Sequence, residues 1–116
     1  MRLIDERTSM VVADSVELAM TRSARRKGLL GRDSLGPHEG MLISPCFSVH
    51  TVAMRFPIDV VFVDSDGRTV RMVHGLAPWR MAASLRARSV IELAAGRLEA
   101  AGVRLGDRLR LVRDDA

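Results

Sequence analysis

The chain has no tyrosine, one tryptophan and three phenylalanines. Proteins that bind nucleic acid commonly interleave stacking aromatics with their basic patches, so this scarcity disfavours a nucleic-acid partner. No helix-turn-helix, zinc or RNA-recognition signature offsets it. There is one cysteine, Cys46, which excludes an intrachain disulfide and the usual multi-cysteine zinc site. A lone cysteine reads first as a small buried hydrophobe. Lys27 is the only lysine, so the positive charge is almost entirely arginine. No apolar run approaches the ~18–20 residues of a membrane-spanning helix. The opening "MRLIDERTSM" puts Asp5 and Glu6 where a secretory signal would be apolar. The expectation is a soluble cytoplasmic protein without a signal peptide.

The 116 residues suit a single domain, 1–116, with 47% apolar and 28% charged residues. A chain of this size buries a core without covalent staples. The net charge is +4, and its distribution is uneven. Arg22, Arg25, Arg26, Lys27 and Arg32 form one acid-free cluster; Arg68, Arg71, Arg80, Arg86 and Arg88 form a second. Arginine pairs with phosphate and carboxylate through two parallel bonds, so a small anionic ligand or a protein partner is the natural counterpart.

Hydrophobic patterning predicts six or seven short strands and one clear helix. Met10–Ala13 and Val16–Met20 flank Asp14-Ser15 and suggest a hairpin. Thr21 is a candidate cap for a helix running to Gly31. Its later cations suit the negative end of the helix dipole. Gly40–Ile43, Ile58–Val63, Arg68–His74, Ser89–Ala94 and Arg108–Val112 read as strands. Asp66-Gly67 is a favoured hairpin turn. Gly96–Ala101 reads as a short helix, and Gly75–Arg88 as irregular chain, with Trp79 either a barrel plug, the favoured reading, or a surface contact for a partner. Sequential β-elements with tight turns predict a mostly β (α+β) fold, a small partly closed antiparallel barrel with the Thr21–Gly31 helix covering one opening. The "DSDG" at Asp64–Gly67 does not make an EF-hand, because positions 5 and 12 of such a loop would be Arg68 and Gly75.

The polar residues of Val49–Asp64, "VHTVAMRFPIDVVFVD", are the main candidates for function. Alternation along one strand puts His50, Val52, Met54, Phe56, Ile58, Val60 and Phe62 on one face. The other face carries Thr51, Arg55 and Asp59. Val60–Val63 is apolar on both faces, so Asp59 sits at the mouth of a strand buried on both sides. A buried carboxylate needs hydrogen bonds or a cation. Asp59 therefore either pins the strand through backbone N–H groups or an arginine, or serves as a general base. Glu92 interrupts "SVIELA" and is expected half-buried, with Arg55 as its partner. His50 is expected at the edge of the core, on the same parity as Cys46. His38 and His74 share no ligand spacing with either, so neither metal nor cofactor is expected.

Several motifs now stand in order: "RRKGLLGR", "GMLI", "HTVAMRFPIDVVFVDSDGRTV", "VIELAAG" and "AGVRLGDRL". Together they resemble the domain of unknown function 192 family of prokaryotic proteins, over roughly Val16 to Leu111. Many members carry a Phe-Trp-Met-Lys-Asn-type block before the Pro-hydrophobic-Asp motif; this chain has "VHTVAMRF" and looks like a His-Thr branch. The resemblance implies a compact barrel-like fold and supplies no reaction, substrate or cofactor. The leading expectation is a non-enzymatic binding or accessory module acting through His50, Thr51, Arg55, Asp59 and Glu92. A hydrolase- or lyase-type enzyme on a small anionic substrate is the first alternative. An arginine-driven phosphate or nucleic-acid binder is the second.

Overall fold

The computed structural model describes residues 1–114. Its central layer is a five-stranded sheet in the order β3-β4-β9-β6-β7, formed by β3 (Ser15–Ala19), β4 (Glu39–Ile43), β6 (Ile58–Val63), β7 (Thr69–Leu76) and β9 (Ser89–Ala94). A second sheet orders β10 (Leu109–Val112), β1 (Arg2–Asp5) and β2 (Val11–Ala13). A two-stranded ribbon pairs β5 (Ser48–His50) with β8 (Met81–Ala83). Two short helices complete the fold, α1 (Arg22–Lys27) and α2 (Arg97–Ala100).

Every residue of β6 is buried. Its β-branched and aromatic side chains fit a sheet covered on both faces. Val61 and Val63 join Ile91, Leu93 and Leu98 in one core. Val60 and Phe62 join Met41, Ile43, Val90 and Leu29 in the other. The segment from α1 to Leu30 covers this second core, and α2 covers the first through Leu98. The Asp64–Arg68 turn connects β6 to β7. Asp64 Oδ1 accepts the N–H groups of Asp66 and Arg68 at 2.9 and 3.0 Å. Gly67 is required there: its φ is +82°, and a Cβ would lie 2.8 Å from the Leu109 carbonyl oxygen.

The mostly β, α+β class is as expected from the pattern, but the barrel is not. The hydrogen-bonded ladders do not close into a ring; β3 and β7 are the edges of the central sheet. Isolated contacts join the sheets, such as Val16 N–H to Met1 O and the Arg68–Arg108 bridge. The expected Met10–Met20 hairpin is also absent. The chain crosses sheets at Asp14, so β2 pairs with β1 while β3 pairs in parallel with β4. The first helix ends at Gly28 rather than Gly31, because Gly28 leaves helical geometry with φ +49°. Its cap is as expected, with Thr21 Oγ1 accepting the Ala24 N–H at 3.1 Å.

Candidate functional site

The opening polar stretch is not one strand. β5 ends at His50, and Thr51–Pro57 turns before β6 begins at Ile58. Ala53 takes a positive φ of 64° within that turn. Alternation therefore restarts at Ile58, and the face shared by Arg55 and Asp59 does not exist. The Arg55 guanidinium pairs with Asp33 at the surface. Asp59 is fully buried, with Oδ1 accepting the Gly75 N–H at 2.8 Å and Oδ2 the Leu98 N–H at 3.0 Å. It ties β6 to the end of β7 and to the first turn of α2. Thr51 is also fully buried. Its hydroxyl donates to the Ala77 carbonyl oxygen at 2.6 Å and accepts the Arg80 N–H at 2.9 Å. Both residues are occupied in holding backbone, and neither faces the cleft that His50 and Glu92 line.

Glu92 occupies a different setting. It lies on β9, the middle strand of the sheet, opposite Met41 on one side and Val60 on the other. It is 3% exposed and makes no hydrogen bond or ion pair among the described residues. Arg55 does not reach it, because the 51–57 turn carries Arg55 outward to Asp33. Burial raises the carboxyl to about 7, and the distant Arg32 only partly opposes the rise. The Glu92 carboxyl faces a cleft of about 90 Å³ between the end of α1 and β5. Gly28 leaves room above it: a Cβ on Gly28 would stand 3.6 Å from Glu92 Oε1. His50, Ser48 and Cys46 contribute from the β5 side. Arg25, Arg26 and Lys27 contribute from α1, in the helix's last turn. None of these three cations pairs with a carboxylate among the described residues. His50 is exposed beside the cleft, not at the edge of a core.

The model of the domain of unknown function 192 family, described as "Uncharacterized ACR", matches residues 4–111. The chain belongs to this family. Two solved structures share its fold. One is a proposed transcription regulator from Sinorhizobium meliloti, 31% identical, with a TM-score of 0.81 over 94% of this chain and 89% of that one. The other is a protein of unknown function from Novosphingobium aromaticivorans, 26% identical, with a TM-score of 0.76 over 83% of this chain and 74% of that one. No curated protein matches the sequence.

Within the cleft the Cys46 thiol is held by its neighbours rather than activated. The Cys46 thiol donates to the Ser48 carbonyl oxygen at 3.0 Å. Burial pushes the thiol up and the Glu92 carboxyl adds to the rise, against the opposing pulls of the Ser48 backbone contact and Arg25. A reactive cysteine needs the opposite shift. No group of three or more His, Cys, Asp or Glu side chains among the described residues is placed to hold a metal ion. The sequence pointed to Glu92 and His50 but missed the α1 cations as their companions. That grouping depends on how the Gly28 bend folds the helix end over β9, and the only trace of it in the sequence is a capped basic helix followed by glycine.

Proposed function

We propose that this chain is a non-enzymatic binding module that receives a small anionic ligand in the Glu92 cleft. The observation that carries the reading is the buried, unpartnered Glu92 carboxyl facing a cleft with three unpaired cations beside it. Among the described residues Asp5 Oδ2 is the fully buried side-chain polar atom left unpaired; the Glu92 oxygens open onto the cleft, where a ligand oxygen can take the place of solvent. Below about pH 7 the carboxyl is neutral and can donate a hydrogen bond to an anionic oxygen. Arg25, Arg26 and Lys27 then supply the opposing charge. The cleft's small volume limits the buried portion to a compact group such as a phosphoryl, sulfuryl or carboxylate end. The single unpaired thiol of Cys46 fits a reducing compartment, which supports a cytoplasmic location.

Calorimetric titration of the full chain with sulfate, which does not titrate near neutrality, tests this reading. Saturable binding at pH 6, weaker by about tenfold at pH 8, and its loss in the R25A/R26A/K27A variant are expected. Inorganic phosphate and short dicarboxylates extend the panel. The absence of saturable binding at pH 6 across that panel would end the proposal.

One observation favours a second reading. A carboxyl near 7 in a cleft that an imidazole also lines is suited to proton transfer at neutral pH, which supports a hydrolase- or lyase-type enzyme on a small anionic substrate. Turnover of phosphate or carboxylate esters that is lost in Glu92→Gln would favour it over simple binding. The nucleic-acid reading draws only on the arginines and on the description of one structural relative. Helices of six and four residues offer no recognition helix for a groove. Retention on heparin or DNA that falls steeply with salt would revive it.

A further inference from the structure

The β5–β8 ribbon presents an unusual surface. Trp79 is 64% exposed, Met81 73% and Leu85 88%, and Phe47 is exposed at the end of the ribbon opposite Trp79. Ladder pairing puts Met81 opposite His50, and the Ser84 N–H to Phe47 O bond brings the Leu85 turn to the Phe47 end. Trp79 is held in place rather than left loose. Its φ of +65° is a strained conformation for a bulky residue. The fully buried Thr51 maintains it: the Thr51 carbonyl accepts the Trp79 N–H at 2.9 Å, and the Thr51 hydroxyl clamps Ala77 and Arg80 on either side. A fold that fixes a strained backbone in order to expose a tryptophan points to a contact surface.

The charge around this patch is mainly positive, although Arg86 shares an open cleft with Asp64 and Asp66. Residues 67–91 contain no Asp or Glu. Arg71, Arg80, Arg86 and Arg88 have no carboxylate partner among the described residues. The Arg71 guanidinium donates to the Ala83 carbonyl at the end of β8, so its charge stands at the patch. An open cleft of about 430 Å³ lies between Phe47 and Arg88, walled by Pro45 and Ala87. It has room for one apolar side chain with a cation at its rim. Tryptophan and arginine are the residue types most often found to dominate protein contacts.

We propose that the β5–β8 ribbon docks an acidic segment of a partner protein. The segment inserts an apolar anchor beside Phe47 and places its carboxylates against Arg80, Arg86 and Arg88. This surface adjoins the Glu92 cleft through Cys46, Ser48 and His50, but the exposed apolar side chains and arginines that carry the inference are not those that carry the anion-binding reading.

Trp79 is the only tryptophan and there is no tyrosine, so intrinsic fluorescence reports on this patch alone. A random twelve-residue peptide library displayed on phage is selected against the full chain. Enriched peptides are then titrated while Trp79 emission is read. Enrichment of sequences that flank an apolar residue with Asp or Glu is expected, with a blue shift on binding. Affinity falls by at least about tenfold in Trp79→Ala and in the R80A/R86A/R88A variant, while both keep the parent melting curve. A second exposed change, Leu85→Asp, weakens the same peptides and guards against a local loss of structure at Trp79. The proposal is overturned if no peptides are enriched, if those enriched lack acids, or if their affinity survives the two variants. It is equally overturned if phosphatidylserine vesicles or duplex DNA shift Trp79 emission and the selected peptides do not.

Discussion

Replacing Glu92 with glutamine should stabilise the protein above neutral pH and leave it nearly unchanged in acid. The Glu92 carboxyl titrates at about 7 in the fold, against 4.5 as a model group, because burial disfavours its charge. Between those values the folded chain holds a proton that the unfolded chain has released, so stability falls as pH rises. The loss begins near pH 4.5 and is complete just above pH 7. A shift of that size corresponds to roughly 3 kcal/mol, a substantial part of the net stability of a small domain. Glutamine has the same shape and no charge to desolvate, so its curve lacks this loss. At pH 8 the variant should melt roughly 10 °C higher than the parent, and at pH 4 the two should nearly coincide. Melting followed by circular dichroism from pH 4 to pH 9 measures both curves. Because Asp5 also titrates in the acid range, the difference between the two curves is the informative quantity. Parallel curves across this range would show that Glu92 is solvated and that the reasoning is wrong.

Asp59→Asn keeps the shape but opposes an amide to at least one of the Gly75 and Leu98 N–H groups. With a buried donor left unpaired, a loss of about 2–4 kcal/mol is expected in urea unfolding. Asp5→Asn should raise the melting temperature at pH 8 but not at pH 3.5. Burial and the neighbouring Asp107 raise Asp5 from 3.8 to about 6, so the parent loses stability as pH rises across that window. Thr51→Val removes the clamp on Ala77 and Arg80 and should destabilise by about 2 kcal/mol. It should also change the emission and anisotropy of Trp79, which fluorescence measures directly.

The parts of the fold that were legible in the sequence were those set by local chemistry. β6 could be read from the apolar run Val60–Val63, and its turn from Asp66-Gly67, because burial on both faces and a positive φ each demand particular residues. β9 emerged with the same bounds, Ser89–Ala94. The errors share a different cause. Reading Val49–Asp64 as one strand assumed that alternation continued through Thr51–Pro57, where Ala53 adopts a conformation its residue type does not advertise. The missing hairpin at Met10–Met20 failed because the Asp14-Ser15 junction carries the chain from one sheet to another, and both outcomes use the same turn residues. Of the two readings for Trp79, the favoured barrel plug fails, since the side chain is 64% exposed. Its exposure depends on a buried threonine far away in sequence. Asp5 pairing in β1 was also missed, since Arg2–Asp5 shows only four residues of weak alternation.

For the site, sequence reasoning located a carboxyl that had to be buried, but assigned it a partner by proximity along a strand that does not exist. Arg55 pairs instead with Asp33, and Glu92 is left to the cleft. Long-range docking of the α1 end over β9 created that cleft, of which the capped basic helix ending at Gly28 is only a partial local sign.

The central claim is that the Glu92 carboxyl is a protonated hydrogen-bond donor to a small anion. The most direct measurement is the pH titration of the Glu92 side-chain carboxyl carbon by NMR, with and without saturating sulfate. A midpoint near 7 is expected in the free protein, moving upward when the anion binds. A midpoint near 4.5, or a downward movement on binding, would contradict it.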